Sequence, residues 1–276
     1  MYYITKGLGE KARPLAIFFA VCGLFGFLGV FTANQFTETF MSVVEPSNTI
    51  FEMSDFNWKL TIGIVLAVIT SLVIFGGLKK IAKVASAIVP FMVAIYLIAV
   101  LVVMVLNASQ IFPSLKLIIT EAWNFKTVVA GGFWGFIIIG VKRAMFSNEA
   151  GLGSAPMYHG QSKTDNPIKE GLVAMLGPFI DTIVVCTMTA LTILITKAHL
   201  DPTLAKNGAL ITAKAFENLG SWMPGLLTIA TVIFAYSTMI SYGYYGERAI
   251  SFLVGEKAIK YFRIMYVLVI VIAPSL

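Results

Sequence analysis

The chain has 276 residues, of which 58% are hydrophobic and only 12% charged, and its mean hydropathy is +0.86. A soluble domain of this length carries about twice that charged fraction, so the composition excludes a soluble globular protein and indicates a polytopic membrane protein. The net charge of +6 does not point to nucleic acid, because the bases are scattered singly between apolar runs instead of gathering on one face.

Apolar runs predict seven segments, at about 14–36, 58–78, 84–107, 128–155, 171–196, 225–246 and 261–276, in one transmembrane domain over 1–276. With the start of the chain cytoplasmic, the inside stretches collect Lys6, Lys11, Arg13, Lys79, Lys80, Lys83, Lys163, Lys169, Arg248, Lys257, Lys260 and Arg263. The outside stretches collect Lys59, Lys116, Lys126, Lys197, Lys206 and Lys214, so the ratio is twelve to six, as positive-inside loops require. Loop 37–57 is acidic instead, with Glu38, Glu45, Glu52 and Asp55. Residues 1–13 lack the apolar core of a signal peptide. The last run provides about 24 Å of helix, short of a span, so the bundle is expected to be incomplete at both ends.

In chain order, segment 14–36 carries Gly23, Gly26 and Gly29 on one stripe and closes on Thr32, Asn34 and Gln35. The stripe suits close approach of a neighbouring backbone. Gln35 offers both a donor and an acceptor, which suits a zwitterionic ligand or, equally, an interfacial position. Segments 58–78 and 84–107 read as ordinary spans joined by a short turn with Gly76-Gly77 and the lysine cluster, and Pro90 bends the second. Residues 108–127, with Trp123 and Phe125, read as an outer loop or a surface-lying helix.

Segment 128–155 is the informative one. As a single helix it would measure about 42 Å, against a hydrocarbon core of roughly 30 Å. Its second half reads Val141-Lys-Arg-Ala-Met-Phe-Ser-Asn-Glu-Ala-Gly-Leu-Gly-Ser-Ala-Pro156, with Arg143, an Asn, a carboxylate and two glycines. A break at Gly151 and Gly153 would free backbone groups, and irregular backbone at membrane depth is tolerated only in a protein interior or along a cavity. A binding site is the expected reason.

Segment 171–196 places Asp181 about ten residues in, followed by Thr182, Thr187, Thr189 and Thr192. A carboxylate there costs a few kcal/mol unless it finds a cation, donors or a proton. Lys142 or Arg143 are candidate partners, and the alternatives are a structural pair, a proton relay or an ion ligand. Segment 225–246 offers the neutral oxygens of Ser237, Thr238 and Ser241, suited to a hard monovalent cation or to simple back-bonding onto the helix. Cys22 and Cys186 lie in apolar runs and read as packing residues, and His159 and His199 fall on opposite sides of the membrane. Nucleotide-binding and hydrolase motifs are absent, so an enzyme is not expected.

Phe146-Ser-Asn-Glu-Ala-Gly-Leu-Gly-Ser-Ala-Pro156 closely resembles the alanine or glycine:cation symporter family, also called the sodium:alanine symporter family. Met1–Gly9, Gly29–Gln35, Gly76–Ala82, Val89–Met92, Phe179–Ala190 and Phe234–Tyr245 also resemble family stretches, in family order. Phe31, Thr32, Ala144 and Glu170 depart from its usual residues. The resemblance implies an all-α, leucine-transporter-like inverted-repeat bundle with its site at two broken helices, the first of them preceding residue 1. It implies sodium-coupled symport of alanine or glycine across the cell membrane, with no cofactor beyond the coupling ion. Gln35 and Ser147, Asn148, Glu149, Ala150 and Gly151 would hold the amino acid, Ser237 and Thr238 the sodium, and Asp181 and Arg143 would be gating or structural polar residues. A proton-coupled carrier using Asp181 and a non-transporting truncated membrane protein stand as alternatives.

Overall fold

A computed structural model describes residues 1–44, 54–122, 133–202, 208–217, 220 and 223–275. Glu45, Glu52, Trp123, Phe125, Lys126, Lys206 and residues 128–132 of the fourth expected segment lie outside the described residues. Every regular element among the described residues is helical. Six stretches are long and apolar enough to cross a membrane: Glu10–Met41, Asp55–Ile74, Gly77–Leu106, Pro167–Ile195, Gly225–Val254 and Ala258–Ser275. Phe25, Val105 and Phe112 are three of many large apolar side chains left more than two-thirds exposed, a surface suited to lipid. The protein is an all-α polytopic membrane protein.

The chain divides into two compact units, Met1–Tyr96 with Trp222–Leu276, and Leu97–Ser221. The first contains α1 (Tyr2–Leu8), α2 (Arg13–Gly26), α3 (Val30–Val44), α4 (Asp55–Ile74) and most of α5 (Gly77–Leu106). It also contains α13 (Met223–Val254) and α14 (Ala258–Ile272). Ser54 caps α4 by accepting from the Asn57 amide at 3.4 Å. Ala33 and Phe36 of α3, Leu66 and Ile74 of α4, Met239 of α13, and Tyr266 and Ile270 of α14 share one core.

Lipid tails are as apolar as leucine, so transfer from water does not hold such helices together; close packing and interhelical hydrogen bonds do. Gly63 lets α4 approach the Val271 carbonyl of α14 so closely that a Cβ would overlap it. Gly246 similarly admits the Phe262 ring. The Tyr266 hydroxyl donates to the Met239 carbonyl at 2.6 Å, and a Cβ on Gly29 would stand 2.6 Å from the same hydroxyl oxygen. Of the glycines at 23, 26 and 29, only Gly29 makes such an approach to another helix. Its φ of +71° separates α2 from α3, so the expected single segment 14–36 is divided.

The second unit runs from the end of α5 through α6 (Ala108–Ala122), α7 (Phe133–Phe146), α8 (Glu149–Leu152), α9 (Ala155–His159), α10 (Pro167–Pro178), a π-helical segment Phe179–Val185, α11 (Cys186–Ile195) and α12 (Gly208–Glu217). Residues 108–122 are helical, as one of the two expected forms had it. The lysine cluster is not in a loop: α5 starts at Gly77, where φ is +70°, and Lys79, Lys80 and Lys83 occupy its first turns. The last stretch begins earlier than expected and, at 18 residues, is long enough to cross.

Candidate functional site

The helix expected across 128–155 stops at Phe146. Ser147 and Asn148 are non-helical, and Asn148 takes an extended φ of −148° and ψ of 163°. Its side-chain oxygen accepts from the Gly151 amide at 2.9 Å, which starts the four-residue α8. Gly153, in the left-handed region at φ 74°, ends α8. The break therefore lies at Ser147–Asn148 and again at Gly153, not at Gly151, which sits inside the short helix. Gly151 is nonetheless required, because a Cβ there would overlap the Met145 backbone carbonyl. Buried Ser154 donates to the Glu149 carbonyl at 3.3 Å and also contacts the Glu149 carboxylate. His159 Nδ1 and Glu170 Oε1, 2.6 Å apart, clasp α9 to α10.

The π-helical segment packs its polar side against this break. Pro178 has no N–H to give the helix ladder, and the widened turn begins at the next residue, where the Cys186 amide reaches back five residues to the Asp181 carbonyl. Thr182 Oγ1 accepts from Asn148 Nδ2 at 2.8 Å and lies 3.1 Å from Ser147 Oγ. Cys186 Sγ lies 3.3 Å from the same Ser147 oxygen. Sequence reasoning noted Thr182 only as a possible neighbour for Asp181, and read Cys186 as packing. The Gly177-Pro178 pair was the available signal for a widened turn.

Asp181 and Arg143 are in this unit but not in this cluster. Both are exposed, and the expected pairing of Asp181 with Lys142 or Arg143 does not form among the described residues. The π-helical segment places Thr182 against the break, whereas Asp181, one residue before it, makes no side-chain contact there among the described residues.

Gln35, Ser237 and Thr238 belong to the first unit. Half-buried Gln35 donates from Nε2 to Glu38 Oε2 at 3.3 Å on its own helix. Ser237 and Thr238 both donate to the Phe234 carbonyl, at 2.9 Å and 3.0 Å, and Ser241 donates to the Ser237 carbonyl at 3.0 Å. This back-bonding directs each hydroxyl hydrogen into the helix and leaves the oxygen lone pairs available, which is what a cation ligand needs. Sequence reasoning missed Glu247, which is 1% exposed and accepts from Arg263 Nε at 2.7 Å and Nη2 at 2.9 Å. This fork joins α13 to α14 beyond the hydroxyl pair.

A sequence model of the sodium:alanine symporter family matches residues 1–276. The chain belongs to the sodium:alanine symporter family. It is 40% identical over 272 residues to the sodium/alanine symporter of Methanococcus maripaludis, covering 98% of this chain and 58% of that protein. It is 37% identical to the amino-acid carrier protein AlsT of Bacillus subtilis, covering 98% of this chain and 56% of that one. The chain thus spans a little over half the length of these relatives.

Proposed function

We propose that this member of the family carries out sodium-coupled symport of a small neutral amino acid, alanine or glycine, across the cytoplasmic membrane, with the start of the chain inside. Membership of the family and similarity to the sodium/alanine symporter of Methanococcus maripaludis support the solute and the ion. One structural observation carries the reading: a helix in an apolar run is interrupted at Ser147–Asn148, where the Asn148 side chain takes the Gly151 amide and bonds Thr182. Interrupted helices at membrane depth line solute sites, in a leucine-transporter-like arrangement of inverted repeats.

In this reading Ser147–Gly151 hold the amino acid, and Ser237 and Thr238 supply neutral oxygens to sodium. Each sodium moving inward gains ~2.3 kcal/mol per 100 mV before any concentration gradient is counted. The test is alanine uptake into vesicles containing the full-length protein. An inward sodium gradient is expected to drive alanine accumulation, and uptake indifferent to sodium would refute the mechanism. A second reading, proton coupling, is favoured by one observation: Asp181 is an exposed carboxylate inside the Pro167–Ile195 stretch and has no side-chain partner among the described residues.

A further inference from the structure

We propose that Thr182 is the positioning residue of the broken helix, aiming the Ser147 hydroxyl hydrogen at the carboxylate of the amino acid. The inference rests on the carrier reading above and adds a residue and a recognition chemistry to it.

The direction of the Asn148–Thr182 bond follows from donor capacity, and the proposed directions of the other two are those that leave no hydroxyl hydrogen idle. Asn148 Nδ2 is only a donor, so Thr182 Oγ1 accepts from it at 2.8 Å and keeps its own hydrogen to give. The nearby helical threonines Thr189, Thr192 and Thr196 give theirs to carbonyls of their own helix at 2.8–2.9 Å. Thr182, in the π-helical turn, makes no such bond among the described residues, and Ser147 Oγ at 3.1 Å receives its hydrogen. Ser147 therefore accepts from Thr182 and must donate elsewhere. The acceptor present is Cys186 Sγ at 3.3 Å, a thiol and a weak acceptor. An ionised carboxylate forms a much stronger bond with a hydroxyl and displaces the thiol.

Asn148 takes the Gly151 amide, and the contact proposed here comes from a side-chain hydroxyl, not from the end of the four-residue α8. The relay from Asn148 through Thr182 to Ser147 instead makes a single oriented O–H the carboxylate contact. One inserted residue in the π turn rotates the helix face by about 100°, which brings Thr182 rather than a neighbour under the break.

The experiment compares alanine uptake kinetics of the full-length carrier in proteoliposomes under an imposed inward sodium gradient. T182V, which keeps shape and removes the hydroxyl, is expected to raise the alanine KM about tenfold while the maximum rate stays near wild type. T182S is expected to restore the wild-type KM. S147A is expected to match T182V, and the double variant to be no worse than either, because both act through one hydrogen. An unchanged KM in T182V, a T182S carrier as impaired as T182V, or additive effects in the double variant overturns the proposal. If T182V is not recovered folded, T182A makes the same comparison, and failure of both to fold overturns it by making Thr182 a fold determinant. Wild-type liposomes that never concentrate alanine refute the carrier reading itself, an outcome visible before any variant is compared.

Discussion

Asn148 does two things with one side chain: its oxygen starts α8 and its nitrogen holds Thr182. An N-cap contributes about 1 kcal/mol and a neutral hydrogen bond roughly the same. Asn148→Ala is therefore expected to cost about 2 kcal/mol, to lower the melting temperature in detergent, and to raise the alanine KM more than tenfold. A variant with wild-type melting and KM would show that the break holds without its cap. At the other hydroxyl site, Ser237 gives its hydrogen to Phe234 and offers only lone pairs outward. Ser237→Ala is expected to raise the half-saturating sodium concentration severalfold and to leave the alanine KM at saturating sodium unchanged. Sodium titration of uptake checks this, and a shift confined to alanine would remove Ser237 from the ion site.

Between elements, α13 and α14 are joined by three kinds of contact. Glycines at 243 and 246 admit aromatic rings from α14, the Tyr266 phenol donates to the Met239 carbonyl, and the Glu247–Arg263 fork completes the join. Breaking a buried ion pair from one side strands a charge, which costs more than the pair contributes when intact. Glu247→Ala is expected to destabilise by about 3 kcal/mol or more, seen as a large fall in melting temperature in detergent. The double variant Glu247→Ala with Arg263→Ala is expected to recover part of the loss, since no charge is left stranded. A double variant worse than the single one would show that Arg263 has a second role. The π-helical segment illustrates a different element-scale effect: one wide turn changes which side chains share a face, and Thr182 of that turn is the one that meets the break.

For the whole molecule the deciding question is which ion is coupled to the solute. Asp181→Asn in the full-length carrier is expected to leave sodium-driven alanine uptake and its pH profile close to wild type. Loss of pH dependence together with indifference to sodium would instead favour the proton-coupled reading. Uptake measured from pH 5.5 to 8.5 with and without a sodium gradient separates the two. The two compact units divide the candidate residues between them, with Gln35, Ser237 and Thr238 in one and Ser147–Gly151 in the other.

The transmembrane class and the presence of an interruption after Phe146 were legible in the residues. Hydropathy and charge follow directly from composition, and an apolar run too long for one bilayer crossing must bend, tilt or break. Two local signals, Asn148 as a cap and Gly153 as a left-handed stop, lie within that run; of the expected break positions Gly151 and Gly153, only Gly153 ends a helix. The partners of that break were not legible. Thr182 and Cys186 follow it by more than thirty residues, and only the packing of a widened turn against Ser147 and Asn148 brings them together. The same holds for Tyr266 against Gly29 and Met239, and for Glu247 against Arg263. Such pairs form between helices distant in sequence, and no local periodicity records which side chains will meet. Composition is a property of the chain read in order; the hydrogen bonds that orient a site belong to surfaces that exist only once the helices have packed.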